Sequence, residues 1–463
     1  MNPIIQNELK NNWLKKENIE LQQKRRRRYL HFDRIIEEVS RPVFEKVTNP
    51  KFVEKHAFFP LIQRIQKARL YKRNPETKKK IIKTKERPIS YSAHFDAIIY
   101  SWYAEQIEAL YEKRVLEIGI SDNVIAYRSL GKSNLVFAKE VFDFIKTQKK
   151  SVAIALDIKG FYNSLDFKIL KKSWTNILSS TNLPSDHYRI YKSVTRFSYV
   201  DIRDINTLLN IGESDVNKFR FFLGMDLLGL LRKNGKIKIN INKGVPQGTP
   251  ISCVLSNLYM LNFDLAVSTE IARLGGIYRR YSDDIIVVCP SAELDFIKQY
   301  LKNQINKTNL IIEDSKTEVR FFENINNNLI CLDEGGRNSK LQYLGVGFDG
   351  IRTSLRHRGY AKFERKMTKS IRGEVRNANR LSLSVAKRKI YEKFTPLGKM
   401  NYIGYAQRAA KELNSGLIKK TVKASRLFKK VNKKITQAQV NDKKEPSGVE
   451  TAGVEPASES FTN

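Results

Sequence analysis

Two adjacent carboxylates, Asp283 and Asp284, stand in the middle of the largely apolar run Ile277 to Val288. Aspartate is disfavoured in strands, and two side by side repel each other and resist burial. Such a pair persists when a cation neutralises it, and a divalent metal is the natural partner. A third carboxylate, Asp157, follows the apolar segment Val152–Leu156 far upstream. Two strands bringing carboxylates to one point is what two-metal phosphoryl transfer needs, with ions about 4 Å apart clamping the attacking and leaving oxygens. Side chains alternate faces along a strand, so Asp284 can join Asp283 only where a turn breaks the pleat. Asp283 therefore ranks first.

A second element lies between the acidic segments. The loop Gly244–Pro250 (GVPQGTP) holds two glycines and two prolines, which fix a backbone able to approach a ligand closely. Gln247 within it offers both a donor and an acceptor. The long apolar helix expected over 251–274 would aim its N-terminal N–H groups at phosphate. Asp166 and Asp264 read as helix caps or surface residues.

The elements that must position these residues follow from the pattern of apolar positions. A strand at 152–158 and a helix at 167–179 precede a variable helical region at 186–233 and a short strand at Lys236–Asn242. After the loop and the long helix come the Asp-Asp hairpin, a helix at 291–307, a strand at 309–313, and strands at 317–323 and 341–348. This order predicts an α+β fold with helices on one face of a mainly antiparallel sheet. Upstream, residues 1–75 read as a basic helical region with the cationic run Lys24–Arg28, and Thr77–Ile89 alternates like a basic β-hairpin. Residues 359–436 read as basic helices, with Arg365, Lys369, Arg372 and Arg376 along one helix face suited to a phosphate backbone. The tail 437–463 is polar and reads as disordered.

Composition narrows the partner. The chain of 463 residues exceeds one compact domain, and its 84 Lys and Arg against 48 Asp and Glu give a formal net charge of +36. Self-repulsion on that scale points to a polyanion, with nucleic acid first. No apolar run approaches the roughly 18 residues of a spanning helix, so no membrane partner is expected. The polar N-terminus does not read as a secretory signal. Cys253, Cys289 and Cys331 are odd in number and lie in apolar segments, which suits a reduced, cytoplasmic protein. The five histidines are scattered, and no histidine metal cluster is visible in the sequence.

Taken together, LDIKGFYNSLD (156–166), GVPQGTPISCVLSNLYM (244–260), YSDD (281–284), EDSKTEV (313–319) and QYLGVGF (342–348) resemble, in order and spacing, the reverse transcriptases of the bacterial type. That class includes group II intron, retron and phage-defence enzymes. The resemblance implies a right-hand polymerase: fingers at 76–150, palm at 151–350 with a finger insertion at about 186–243, and a helical thumb at 355–436. It implies two Mg²⁺ (Mn²⁺ as the alternative) held by Asp157, Ile158, Asp283 and Asp284. Lys83, Lys85, Arg87 and Arg128 would belong to fingers gripping triphosphate and template, and Gln247 and Gly248 would meet the incoming nucleotide. Tyr162 matches the sugar gate, where a ring packed under the sugar leaves no room for a 2′-hydroxyl. Lys316 matches a lysine near the pyrophosphate.

The implied activity is RNA-directed DNA polymerisation from dNTPs, with an RNA template and a DNA product. A homo-oligomer is left open. Ser282 replaces the alanine usual in the YADD box. The NAxxH segment and Val-Thr-Gly triplet of typical retron enzymes are missing, and no endonuclease module follows the thumb. By elimination the chain is most like standalone phage-defence enzymes that work with a dedicated non-coding RNA. The alternatives are a retron- or intron-type enzyme, a ribonucleotide polymerase, and a non-catalytic RNA-binding protein on a polymerase scaffold.

Overall fold

The structure is a computed structural model that describes residues 3–24, 30–73, 77, 80–212, 223–398 and 401–444. Arg25–Arg28, most of the cationic run, and residues 445–463 of the tail lie outside the described residues, as does 213–222 within the expected finger insertion. The chain divides into two compact units. The first is formed by 1–130 and 152–319, the second by 131–151 and 320–463.

In the first unit, β1 (Leu61–Arg73) and β2 (Lys80–Tyr91) form a long antiparallel ribbon, with Ile62 opposite Tyr91 and Arg73 opposite Lys80. The basic hairpin expected over 77–89 is thus one arm, β2. Its partner is Leu61–Arg73, a strand where the sequence suggests helix. Alternation of polar and apolar residues (LIQRIQKA) in a segment facing solvent on one side is a strand signal, and the surrounding basic charge hides it. β1 also pairs with β4 (Ser198–Asp201), which pairs with β5 (Lys238–Ile239). Leu30, Phe32, Ile62, Val200, Ile205 and Leu231 form a core beneath this sheet.

The sheet that carries the acidic residues has the order β6 (Ile277–Tyr281), β7 (Asp284–Cys289) and β3 (Lys150–Asp157) within this unit, all antiparallel. Its inner residues Val152, Ala153, Ile154 and Ile285–Val288 are fully buried. Each of the larger aliphatic side chains contributes about 1.5–3 kcal/mol through removal from water. The helix Ser252–Arg273 is buried on most sides, through Leu255, Leu258, Met260, Phe263, Val267 and Ile271. A helix apolar nearly all round belongs in a core, which fits its length and position beside β6. Asp166 caps the helix Phe167–Ile177, accepting from the Lys168 and Ile169 N–H groups at 2.8 and 3.1 Å, as expected. Residues 309–313, expected as a strand, supply only a single bridge between Ile312 and Ile158.

The second unit contains Arg320–Ile325 of β8 (Glu318–Ile325), paired with β9 (Asn328–Leu332), and the small sheet β10 (Leu341–Tyr343), β11 (Val346–Phe348), β12 (Thr353–Leu355). Residues 341–348 are therefore a tight hairpin, not one strand. Leu344 and Gly345, both at positive φ, make its turn. The helix His357–Arg380 buries Phe363, Met367, Ile371, Val375 and Ala378 at spacings of four and three, an amphipathic pattern. Shorter helices follow it, and then Ala424–Lys444, which continues as helix past Gln437 into the expected tail. Among the described residues, no helix is long and apolar enough to cross a membrane.

Candidate active site

The three aspartates converge because of strand register. Asp157, last in β3, is the cross-strand partner of Asp284, first in β7. Directly opposed residues place their Cβ atoms roughly 4.5–5.5 Å apart, and like charges there destabilise the pair. Tyr281 pairs with Asp284, so Ser282 and Asp283 form a two-residue turn. Ser282 takes φ +60°, the positive value that primed hairpin turns demand. The turn breaks the pleat, and the Asp283 carbonyl accepts from the Ile158 N–H at 3.2 Å, tying the turn to the end of β3. All three aspartates and Ile158 therefore lie at one sheet end.

Cations of the chain already answer this charge. Lys316, in the turn Asp314–Lys316, donates to the Asp157 carboxylate, and the pair is partly open to solvent, at 44% and 21% exposure. Burial pushes the Asp283 carboxyl above its usual range and the Asp157 charge pushes the same way, while Lys316 and Lys85 oppose them. Burial lowers the Lys85 ammonium; Arg87 and Lys316 lower it further, against the pull of Asp157 and Asp283. Lys85 on β2 thus shares the field of a centre built from β3 and β7. Lys85 and Arg87, two residues apart, fall on one face of β2 by alternation. Arg87 is exposed, and the Lys83 side chain lies outside the described residues.

Oxygen donors suit a hard dication, and Asp157 and Asp283 share one electrostatic field with the Lys316 ammonium, although the three carboxylates do not all bring a ligand atom within 4.8 Å of one another. Asp157, Asp283 and Asp284 would hold Mg²⁺ there, with Ile158 beside them.

The glycine loop is locked to both flanks of this centre. Gly244 (φ +88°) donates to the Leu165 carbonyl at 2.8 Å, and a Cβ there would sit 2.7 Å from the Asn163 backbone. Gly248 (φ +120°) lies so close to β2 that a Cβ would come within 2.6 Å of the Ser90 carbonyl oxygen. The Gln247 carbonyl accepts from the Ser90 N–H at 2.8 Å, and Val245 donates to the Tyr162 carbonyl at 2.8 Å. The loop therefore pins Gln247, half-buried, between β2 and the Tyr162 segment. Tyr162 is half-buried, with its hydroxyl 3.8 Å from the Cys253 Sγ.

Two charged residues depart from their sequence reading. Arg128 is not available to template or triphosphate. Its side chain is 1% exposed, paired with both Glu112 oxygens at 2.6 Å, and donates to the Ser121 and Val124 carbonyls. It closes the 121–128 loop on the helix His94–Glu117. Asp264 is neither cap nor surface residue: it is 0% exposed and accepts from Arg280 Nε and Nη2, each at 2.7 Å, and from the Tyr278 hydroxyl at 2.6 Å. Arg280 directs its remaining donors to Asn257 Oδ1 and, at 3.1 Å, to the Ser282 carbonyl. This buried guanidinium holds the first residue of the acidic turn. Tyr127 donates to Ser282 Oγ at 3.4 Å from the other side. Sequence reasoning missed Arg280 and Tyr127 and misread Asp264. The available signal was an arginine alternating inward with Tyr278 on β6 and a lone aspartate in an apolar helix.

Arg365, Lys369, Arg372 and Arg376 are all exposed in the second unit, on the helix face opposite Phe363, Met367, Ile371 and Val375. Arg376 lies 3.6 Å from Asp442.

An antiparallel sheet with two aspartates in register and a third in the connecting turn defines a polymerase palm. The family model for reverse transcriptase (RNA-dependent DNA polymerase) matches residues 77–348, more than half of the chain, and the chain belongs to that family. By structure it is similar to the apo telomerase of Candida tropicalis truncated from its C-terminal domain, with 13% identity and a TM-score of 0.41 over 64% of this chain and 57% of that one. It is also similar to the telomerase of Candida albicans with a fragment of telomeric RNA (10% identity, TM-score 0.38, 86% of this chain and 63% of that one). A third similarity is to an RNA polymerase complex inside a dsRNA virus (12%, TM-score 0.40, 69% of this chain and 27% of that one). The chain spans about three fifths of the telomerase chains it matches. No protein of curated function matches it in sequence.

Proposed function

We propose that the chain is an RNA-directed DNA polymerase that extends a primer with dNTPs on an RNA template. The observation that carries this reading is the register of Asp157 against Asp284 beside the Asp283 turn, with Lys316 and Lys85 facing the same point. Two Mg²⁺ bound there supply charge neutralisation at the attacking hydroxyl and the leaving pyrophosphate. Lys316 and Lys85 then meet the triphosphate charge that replaces part of the carboxylate field. The backbone lock at Ser90 and Tyr162 holds Gln247 against the nucleotide, and the Tyr162 ring excludes a 2′-hydroxyl. The exposed stripe from Arg365 to Arg376 serves as a thumb surface for the nucleic-acid backbone.

The test is Mg²⁺-dependent dNTP incorporation on a primed RNA. Wild-type protein incorporates and Asp283→Ala does not; undiminished incorporation by that variant would sink the assignment. Tyr162→Ala should admit ribonucleotides, and unchanged sugar discrimination removes Tyr162 from the gate. The finer reading, a dedicated non-coding RNA serving antiviral defence in the cytoplasm of a bacterium, is supported by sequence resemblance. Sequencing the RNA that co-purifies with the chain, and plating phage on cells with and without it, tests that part.

A further inference from the structure

Two of the five histidines, His31 and His94, are distant in the sequence and adjacent in space. His31 and His94 bring their rings to a centroid distance of 3.7 Å, and one ligand atom each of His31, Asp33 and His94 lies within 4.8 Å of the others. Among the described residues this is the sole such group of three metal-ligating side chains. We propose that His31, Asp33 and His94 form a binding site for a borderline transition dication such as Zn²⁺, separate from the carboxylate centre.

Three observations support it. The first is donor type: two imidazoles and one carboxylate select Zn²⁺-like ions, whereas Mg²⁺ prefers all-oxygen sets. The second is orientation. Asp33 accepts the His94 and Phe95 N–H groups, both at 2.8 Å, so its carboxylate is fixed at the start of the helix His94–Glu117. A carboxylate offers about four lone-pair sites, so these two bonds leave capacity for an ion. The His31 backbone is fixed too, its carbonyl accepting from the Leu223 N–H at 2.8 Å. The third is access. His31 and His94 line a cavity of about 470 Å³, bordered also by Glu17, Glu20, Glu105, Glu108 and by Lys16, which pairs with Glu105 at 2.8 Å; the cavity leaves room for a water as fourth ligand. Three of the four glutamates remain beyond the Lys16–Glu105 pair, a local excess of negative charge in a chain of net charge +36 that favours cations there. Bound there, the ion would clip the segment after the helix Pro3–Lys24 to the helix His94–Glu117.

Co²⁺ is the probe. The full chain is stripped with a chelator and titrated with Co²⁺ in excess Mg²⁺, which occupies oxygen-only sites. The expected result is one Co²⁺ per chain, visible d–d absorption of a four-coordinate ion, bleaching by Zn²⁺, and a Tm that rises with added Zn²⁺. His31→Asn and His94→Gln, chosen to keep hydrogen-bonding capacity, should each weaken Co²⁺ binding at least about tenfold while the far-ultraviolet circular dichroism is unchanged. Asp283→Asn should leave the absorption intact, so the result does not depend on the polymerase reading. No visible band, or a band of equal intensity in both folded histidine variants, overturns the proposal.

Discussion

Two acidic groups on neighbouring elements are treated in opposite ways. Asp264 lies in the core, and its oxygens are matched by a two-pronged arginine and a tyrosine hydroxyl. Asp157, Asp283 and Asp284 sit at the open end of the sheet beside that helix, where the register forces like charges together and the answering lysine is half-exposed. The first arrangement is saturated and can only hold a shape. The second places three carboxylates at one sheet end, Asp284 exposed and Asp157 and Asp283 partly so, where an incoming dication can reach them. Arg280 joins the two, since the guanidinium that satisfies Asp264 also grips the Ser282 carbonyl of the acidic turn.

On that contrast, activity and stability should separate by region. At the open centre, Asp157→Asn should cut dNTP incorporation on the order of 10³-fold, because several kcal/mol of transition-state charge stabilisation are lost. Its Tm should move by no more than about 2 °C. A large drop in Tm would show that the open centre is structural after all.

At the saturated pair the order reverses. Arg280→Met leaves the Asp264 charge buried without its counter-ion and should cost about 3–5 kcal/mol in denaturant unfolding. The double change Arg280→Met with Asp264→Leu should recover most of that stability, since a well-packed apolar pair replaces the ions. Incorporation by the stable double variant should still be reduced, because the Ser282 carbonyl has lost its anchor. Full activity would show that the turn holds its own geometry.

The same contrast separates the arginines. Arg128→Ala should destabilise by about 1–3 kcal/mol through the polar groups it orphans, with the salt dependence of RNA binding unchanged. Neutralising Arg365, Lys369, Arg372 and Arg376 should do the opposite, leaving Tm nearly constant. The slope of log K against log salt should then become shallower by roughly 0.7–0.9 for each phosphate that the stripe no longer neutralises.

The smallest effect is also the one with a definite sign. Burial and Asp157 hold the Asp283 carboxyl above its ordinary value, so the folded chain binds more protons than the unfolded one in the window between the two. Stability therefore falls as pH rises through that window. Without metal, Asp283→Asn should raise Tm at neutral pH by about 1–3 °C, with the gain vanishing at acid pH where both forms are neutral. Added Mg²⁺ should raise the Tm of the wild type and not of this variant.

How much of this is legible in the sequence depends on whether the signal is local. The order of acidic segments, the glycine loop, the capping role of Asp166 and the amphipathic face of the helix His357–Arg380 are written in neighbouring residues. Spacing of two, three or four reports them. Family membership follows for the same reason, because the motifs are short and ordered. The ribbon arm Leu61–Arg73 escapes such a reading because its strand pairing is made with a distant partner, and high charge masks alternation in a single arm.

Side-chain fate is not legible. Arg128 and Arg365 are the same residue type in a strongly basic chain, and the fold buries one against Glu112 while exposing the other. Nothing near Asp264 in sequence announces Arg280, and nothing near His31 announces His94. The sequence by itself determines which charges exist and which short segments bend or pair. Only the tertiary structure settles which charges are cancelled inside the molecule, since Coulomb and hydrogen-bond energies depend on distances of a few ångströms that chain separation does not encode.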